Sequence, residues 1–287
     1  MIDAHLHLWD PQRLSYDWLK HVPSIAGRHG PEEWARQQAE PRQAVFVQAD
    51  CALEQTLNEV DWVSGLDRSP LQILGVVAFA PLEEGEAVRP LLRQLKQRPL
   101  VCGVRRSVQN ETPGFISSAA HIEGLVASAE EELSLDLCAR DHQLPELIEA
   151  LDALFAAAPR ARVVLDHLGK PDIAVGKGDI RHSDWAANLE HLAKRPQVFA
   201  KLSGLTTQDD WAEGRDEALR PYIDHALACF GPSRLMYGGD WPVAELARGG
   251  LSRWRTLFDI ATARLSNAER ALIRHETARG FYRLPPV

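Results

Sequence analysis

The opening stretch, 1–9, contains two histidines separated by a single residue. His5 and His7 alternate with apolar residues, as does Asp3, and this period of two predicts that all three polar side chains share one face of a β-strand. Two imidazoles held by one strand can bind a divalent metal or polarise a carbonyl group. An edge strand whose histidines face water has the same pattern, so the rest of the chain has to decide between these interpretations.

Polar side chains recur where later predicted strands end. The residues at these points are Gln48, Arg105, His167, Lys201 and Asp240. Each has a structural alternative: an arginine or lysine forms ion pairs, a histidine can be hydrogen-bonded in the core, and an aspartate can cap a turn. Because parallel strands of a barrel deliver their last side chains to one rim, the recurrence favours a shared site.

The elements that would position these residues alternate regularly between β-rich runs and longer amphipathic segments. The predicted strands are Ile2–Leu8, Gln43–Gln48, Gln72–Ala78, Val101–Arg106, Ser134–Cys138, Arg162–Asp166, Val198–Ser203 and Arg234–Gly238. The predicted helical segments are Glu54–Leu66, Gly85–Gln97, Phe115–Glu131, His142–Ala157, Ser183–Lys194, Asp216–Phe230 and a final region, Leu251–Tyr282. Eight βα units predict an α/β fold, a (β/α)8 TIM barrel over residues 1–287 as a single domain.

The segment Trp9–Pro31 is the longest connection between a predicted strand and the next helix. It contains Trp9, Tyr16, Trp18, His21 and His29. A loop of this length at the end of a strand is typical of a lid or specificity loop. Its aromatic residues would equally suit a plug at the barrel mouth.

Composition excludes several classes of function. The 287 residues are 45% hydrophobic and carry a net charge of −8, which argues against sequence-independent binding of nucleic acid. The four cysteines are widely spaced and predict reduced thiols rather than a disulfide framework or zinc finger. The N-terminus does not resemble a signal peptide, and no apolar run approaches the roughly 18 residues of a membrane span. We therefore expect a soluble cytoplasmic protein with no nucleic-acid or membrane partner.

Four motifs together resemble the amidohydrolase superfamily, specifically its amidohydrolase-related lactonase branch. They are His5-Leu-His7, Asp166-His-Leu-Gly-Lys-Pro171, Lys201-Leu-Ser-Gly204 and Tyr237-Gly-Gly-Asp-Trp-Pro242. That branch contains sugar lactonases, which act on lactones such as fuconolactone and rhamnonolactone, and the pyrone-dicarboxylate lactonase. The resemblance extends over essentially the whole chain and implies a distorted TIM barrel with its active site at the C-terminal end of the strands.

Position by position, the resemblance implies catalytic roles for five residues: His5, His7, Arg105, His167 and Asp240. It also implies substrate contacts for Trp9, Trp18 and Trp241. Metal-dependent relatives often have a carboxylated lysine or a glutamate on strand four and a histidine on strand five. Here strand four has Arg105 and strand five has Asp136, so we expect no two-metal centre.

One Zn²⁺ could still be bound by His5, His7 and Asp240, with or without His167. The branch also has members that act without a metal. The need for a metal is therefore open at this stage.

A lactone opens when water attacks its carbonyl carbon, which requires a base, a positive group near the oxyanion and a proton donor for the alkoxide. We predict that Asp240 is the base and that His5, His7, His167 and Arg105 polarise the carbonyl. We further expect Arg105 and Lys201 to bind the product carboxylate or ring hydroxyls, and Gln48 and the loop aromatics to shape the pocket.

The favoured substrate is a sugar aldonolactone, which would place the enzyme in carbohydrate metabolism. A Zn²⁺-dependent decarboxylase or hydratase of the same superfamily, or a C–N hydrolase, is the alternative enzyme. A barrel that binds a sugar acid without turnover is the alternative from another class. The sequence leaves the formation of a homo-oligomer open.

Overall fold

The computed structural model describes residues 1–37, 43–66, 70–173, 180, 183–209 and 215–285. Within these residues, eight parallel strands form a sheet in which each strand pairs with the next one along the chain. They are β1 (Ile2–Leu6), β2 (Gln43–Val47), β3 (Gln72–Phe79), β4 (Val101–Ser107), β5 (Ser134–Cys138), β6 (Val163–Leu165), β7 (Val198–Leu202) and β8 (Leu235–Tyr237).

The barrel closes irregularly, because β1 pairs with the segment that follows β8. Leu6 forms a parallel bridge with Trp241, and the Asp240 backbone N–H donates to the His5 carbonyl oxygen at 2.8 Å. This closure brings the end of β8 directly against His5. The architecture is the predicted distorted (β/α)8 barrel.

Helices surround the strands. They are α1 (Pro31–Arg36), α2 (Thr56–Ser64), α3 (Arg89–Lys96), α4 (Ala119–Glu130), α5 (Leu144–Ala157), α6 (Asp184–Ala193), α7 (Asp216–Phe230), α8 (Gly250–Thr262), α9 (Asn267–Ala271) and α10 (Thr277–Tyr282). A π-helical turn, Leu272–Glu276, joins α9 to α10. In the described part of the chain, none of the helices combines the length and the apolar character needed to cross a bilayer.

The predicted strand boundaries agree with the structure to within two residues at each end. The predicted final region, Leu251–Tyr282, contains three helices, and Ser266 caps the second of them by accepting the Glu269 N–H. Helix α1 was not predicted. It has only six residues, and its length is too short for an amphipathic period to be recognised.

Two apolar layers hold the strands in place. Side chains such as Phe46, Val76 and Leu165 face outwards and pack against the helices. Ile2 and Met236 belong to a separate inner cluster that is closed at the bottom by the C-terminal helix. Further along the strands, the inward positions become polar, and these polar positions build the site.

The prediction that Asp3 shares a face with the two histidines is wrong. The pairing of β1 with β2 shifts register between Asp3 and Leu6, so the alternation of side chains breaks inside the strand. The Asp3 carboxylate instead accepts the backbone N–H groups of His5 at 2.9 Å and Gly239 at 2.8 Å. Asp3 therefore stabilises the junction of β1 with the end of β8 and does not project into the barrel with His5.

Candidate active site

Three imidazoles and one carboxylate meet at the carboxyl end of the barrel. The Nε2 atoms of His5 and His7 are 3.2 Å apart, and the rings of His5 and His167 have centroids 4.4 Å apart. Asp240 Oδ1 lies 3.5 Å from His7 Nε2 and 3.9 Å from His5 Nε2. All four side chains are buried. Residues that are far apart in the sequence therefore form one cluster, as the strand order predicts.

Strained turns deliver His167 and Asp240 to this cluster. Both residues adopt left-handed backbone conformations, with φ of 53° for His167 and 56° for Asp240. Such conformations cost a non-glycine residue about 1 kcal/mol or more and are often found at functional sites. Gly204 makes the approach possible, because a Cβ atom at this position would overlap the His167 ring.

A backbone contact fixes the tautomer of His7. Its Nδ1 lies 2.8 Å from the carbonyl oxygen of Val47, which can only accept a hydrogen bond. His7 Nδ1 therefore carries the proton, and in the neutral ring the Nε2 lone pair faces His5 and Asp240.

Arg105 places a permanent positive charge beside these rings. Its Nη1 is 3.3 Å from His5 Nε2 and 3.3 Å from Asp166 Oδ2, and its Nη2 donates to the Gln48 carbonyl oxygen at 2.7 Å. Burial acts to lower the pKa of Arg105, but Asp166 and other nearby acidic groups hold it above its ordinary value. The guanidinium therefore stays charged although it is only 4% exposed.

A second buried cation lies beneath His5. Lys201 Nζ is 2.5 Å from Asp136 Oδ2, 3.0 Å from Asp166 Oδ1 and 3.0 Å from His5 Nδ1. The Tyr282 hydroxyl also donates to Asp136 Oδ2 at 2.8 Å. Lys201 is 0% exposed, and in this position it orients His5.

The buried environment shifts the protonation of the site. Burial lowers the pKa of His5 well below its usual value and lowers the pKa of His167 to about 4. Burial acts in the opposite direction on Asp240, but the electrostatic effect of His167 and the neighbouring histidines lowers the pKa of this carboxyl below its usual value. At neutral pH the site therefore combines a neutral His167 with an ionised Asp240.

Asp136 and Asp166, which were not predicted as site residues, form ion pairs with the two buried cations. Burial raises the pKa of Asp136 to about 6 against the opposing effect of Lys201, whereas Lys201 and His5 overcome burial at Asp166 and hold its pKa well below its usual range. Both aspartates could have been inferred from the sequence. Lys201 and Arg105 lie on strands that are buried on both faces, and a buried cation requires a buried anion nearby.

The sequence model of the amidohydrolase family matches residues 2–284. The chain belongs to the amidohydrolase family. Its predicted membership of the lactonase branch is confirmed by relatives that align with almost its whole length.

Two such relatives are L-fucono-1,5-lactonases. The protein from Burkholderia multivorans is 30% identical over 299 residues, which cover 99% of this chain and 96% of the relative. The protein from Burkholderia ambifaria is 29% identical over 292 residues, which cover 99% and 95%. A crystal structure of an amidohydrolase from Burkholderia multivorans with bound zinc superimposes with a TM-score of 0.82 at 30% identity and covers 99% of both chains.

The donor atoms of this amidohydrolase fit one divalent cation. His5, His167 and Asp240 each offer one ligand atom, all within 4.8 Å of one another, and His7 Nε2 adjoins His5. Nitrogen and carboxylate oxygen are ligands that Zn²⁺ accepts. Arg105 opposes this binding, because its charge lies 3.3 Å from one of the ligand nitrogens. The site thus fits a single ion whose affinity Arg105 weakens.

The predicted aromatic residues separate into two groups. Trp9 and Trp241 are fully buried, and each packs against His29, with ring centroids 5.1 and 5.3 Å apart. Trp18 is partly exposed and donates its Nε1–H to the Ala49 carbonyl oxygen at 2.8 Å. Trp9 and Trp241 therefore pack against the buried side of the connection Trp9–Pro31, whereas Trp18 remains accessible.

The loop that follows β2 has its own anchors. The Gln48 side chain is fully buried and forms two hydrogen bonds with Asp50, through its Nε2–H at 2.9 Å and its Oε1 at 2.6 Å. Glu59 of α2 accepts the Ala49 N–H at 3.3 Å. The Gln48 and Ala49 carbonyl groups of this loop accept hydrogen bonds from Arg105 and Trp18. By anchoring the loop, Glu59 therefore helps to position both side chains.

The buried charges predict the effect of removing Lys201. Lys201→Met leaves Asp136 without a cationic partner and Asp166 with Arg105 alone, and we expect a loss of about 3–5 kcal/mol in the free energy of unfolding. Adding Asp136→Asn should recover part of this loss, which urea unfolding of both single variants and the double variant measures. Lys20→Met, at a side chain that is 73% exposed, is the control. Equal losses for Lys201→Met and Lys20→Met would contradict the proposed network.

Glu59 predicts a dependence of stability on pH. Burial raises the pKa of Glu59 to about 8 in the folded protein. A raised carboxyl pKa means that the folded state binds more protons, so the contribution of Glu59 to stability is lost as pH rises from about 4.5 to about 8. Glu59→Gln keeps an acceptor for Ala49, and its melting temperature should exceed that of wild type increasingly over this range. A constant difference across the range would show that Glu59 does not titrate there.

Proposed function

We propose that this amidohydrolase opens a lactone of a sugar acid by hydrolysis. The observation that carries the proposal is the position of the ionised Asp240 within 3.5 Å of His7 Nε2, close to the permanent cation Arg105. The activities named for the two Burkholderia relatives support a lactone as the substrate class.

Asp240 is the proposed base. Its low pKa keeps the carboxylate ionised throughout the neutral range, so it can accept a hydrogen bond from a water molecule. The acidity of that water rises as its oxygen bonds to the carbonyl carbon, and the proton passes to Asp240 at this stage. The ring C–O bond then breaks, the alkoxide takes the proton from Asp240, and the resulting carboxylic acid releases a proton to solvent.

Arg105 and the neutral His5 imidazole are the proposed oxyanion stabilisers. Donors that are fixed before the reaction stabilise developing charge strongly in a water-poor site. Arg105 is fixed by Asp166 and the Gln48 carbonyl group, and His5 is fixed by Lys201, so neither has to reorganise. A divalent cation bound by His5, His7, His167 and Asp240 would add Lewis-acid polarisation of the carbonyl.

The preference for a sugar lactone rests on two features. The named relatives act on L-fucono-1,5-lactone, a lactone of a polyol acid. In this chain, the accessible Trp18 adds an apolar ring that suits the carbon face of such a sugar. Trp9 and Trp241 act indirectly in this proposal, by holding the loop that carries Trp18.

A pH-stat assay tests the proposed reaction, because each turnover releases one proton. A panel of sugar aldonolactones and planar dicarboxylate lactones should give turnover with at least one sugar lactone. Asp240→Asn should reduce kcat by about 10²-fold or more, since the amide cannot accept the proton. Asp152→Asn, at a side chain that is 62% exposed, should leave kcat unchanged. A folded Asp240→Asn variant with the wild-type turnover number would contradict the mechanism.

Metal removal tests the role of Arg105. Because Arg105 already supplies a positive charge beside His5, we expect enzyme that has been treated with a chelator and verified as metal-free by mass spectrometry to keep its activity. Arg105→Gln should lose activity in the same metal-free state. Loss of wild-type activity on chelation, with recovery on addition of Zn²⁺, would show instead that the ion is required.

A further inference from the structure

A second group of metal-ligand side chains lies outside the barrel, between α6 and α7. His225 and Cys229 are one helical turn apart on α7 and therefore project from the same face. Glu190 projects towards them from α6. No part of the proposed reaction uses these three residues.

The separations of the donor atoms suit a single ion. Cys229 Sγ is 3.4 Å from His225 Nε2, and His225 Nε2 is 3.8 Å from Glu190 Oε1. All three donor atoms lie within 4.8 Å of one another. Zinc bonds of about 2.0–2.3 Å at tetrahedral angles place ligand atoms roughly 3.3–3.6 Å apart. Only a small shift of the glutamate is needed to reach this geometry.

The surroundings give an ion access to these ligands. The three side chains line an open concavity of about 360 Å³, together with Ala193, Lys194 and Ala228. The two alanines leave space for water as a fourth ligand. The Glu190 side chain is 56% exposed and free to adjust, whereas His225 is 10% exposed and is held by the helices.

Protons compete with metal at this place. His225 Nε2 lies 3.3 Å from the Ala186 carbonyl oxygen, which indicates that Nε2 carries the proton when no ion is bound. Burial raises the pKa of the Cys229 thiol to about 11. Binding of a cation through Cys229 Sγ and His225 Nε2 would displace both protons. Lys194 also lines the concavity, but its exposed ammonium group can turn into solvent.

We propose that Glu190, His225 and Cys229 form a binding site for a thiophilic divalent cation, such as Zn²⁺, that links α6 to α7. The site is separate from the active site and supplies a thiolate ligand. Its role is structural, since an ion that binds only the folded chain stabilises it by mass action.

Cobalt titration of the full-length protein tests this site, because thiolate ligands give Co²⁺ an intense charge-transfer band in the near ultraviolet. We expect a saturable band at micromolar Co²⁺ that is lost in Cys229→Ser and His225→Ala and weakened in Glu190→Gln. Cys138→Ser is the matched control, since Cys138 lies beside His167 and Asp166 in the active site. The band should persist in this variant.

Zinc should also raise the melting temperature of wild type more than that of Cys229→Ser, while the lactone-opening rate of Cys229→Ser stays at the wild-type value. The absence of a saturable thiolate band would overturn the proposal. So would a band that disappears in Cys138→Ser and persists in Cys229→Ser.

Discussion

Two cations buried inside the barrel impose the constraint on which the site depends. Lys201 and Arg105 cannot leave water without partners, because an unpaired buried charge costs several kcal/mol. Asp166 contacts both cations, and Asp136 completes the shell of Lys201. The resulting network holds His5 between Lys201 on one ring nitrogen and Arg105 on the other. Charge pairing in the interior thus orients the first catalytic imidazole before any substrate arrives.

The rim of the barrel then adds groups whose protonation is set by burial. His7 is oriented by the carbonyl group of Val47, and His167 and Asp240 enter through left-handed turns, with Gly204 leaving space for the His167 ring. A neutral imidazole beside an ionised carboxylate is a suitable arrangement for moving a proton from water to an alkoxide. The fold therefore contributes to the proposed chemistry in two ways: strand order brings the groups together, and exclusion of water sets their charges.

The sequence was sufficient to predict the barrel and the convergence of His5, His7, Arg105, His167 and Asp240, because each effect depends on where a strand ends. It failed where a local irregularity or depth of burial decides the outcome. The register shift in β1 turns Asp3 away from the histidines, and strand periodicity does not reveal such a shift. Likewise, the motif containing Lys201 does not show how deep its side chain lies. The carboxylates around Lys201 were predictable in principle from the need to neutralise it.

The most direct test is a crystal structure of the enzyme with the hydroxy-acid product of its best lactone. We expect the product carboxylate to lie within about 4 Å of both the Asp240 carboxyl and the Arg105 guanidinium, where the attacked carbonyl must have been. We also expect the hydroxyl released from the ring to lie on the Asp240 side. A product bound at the rim with its carboxylate turned away from both residues would contradict the proposed reaction.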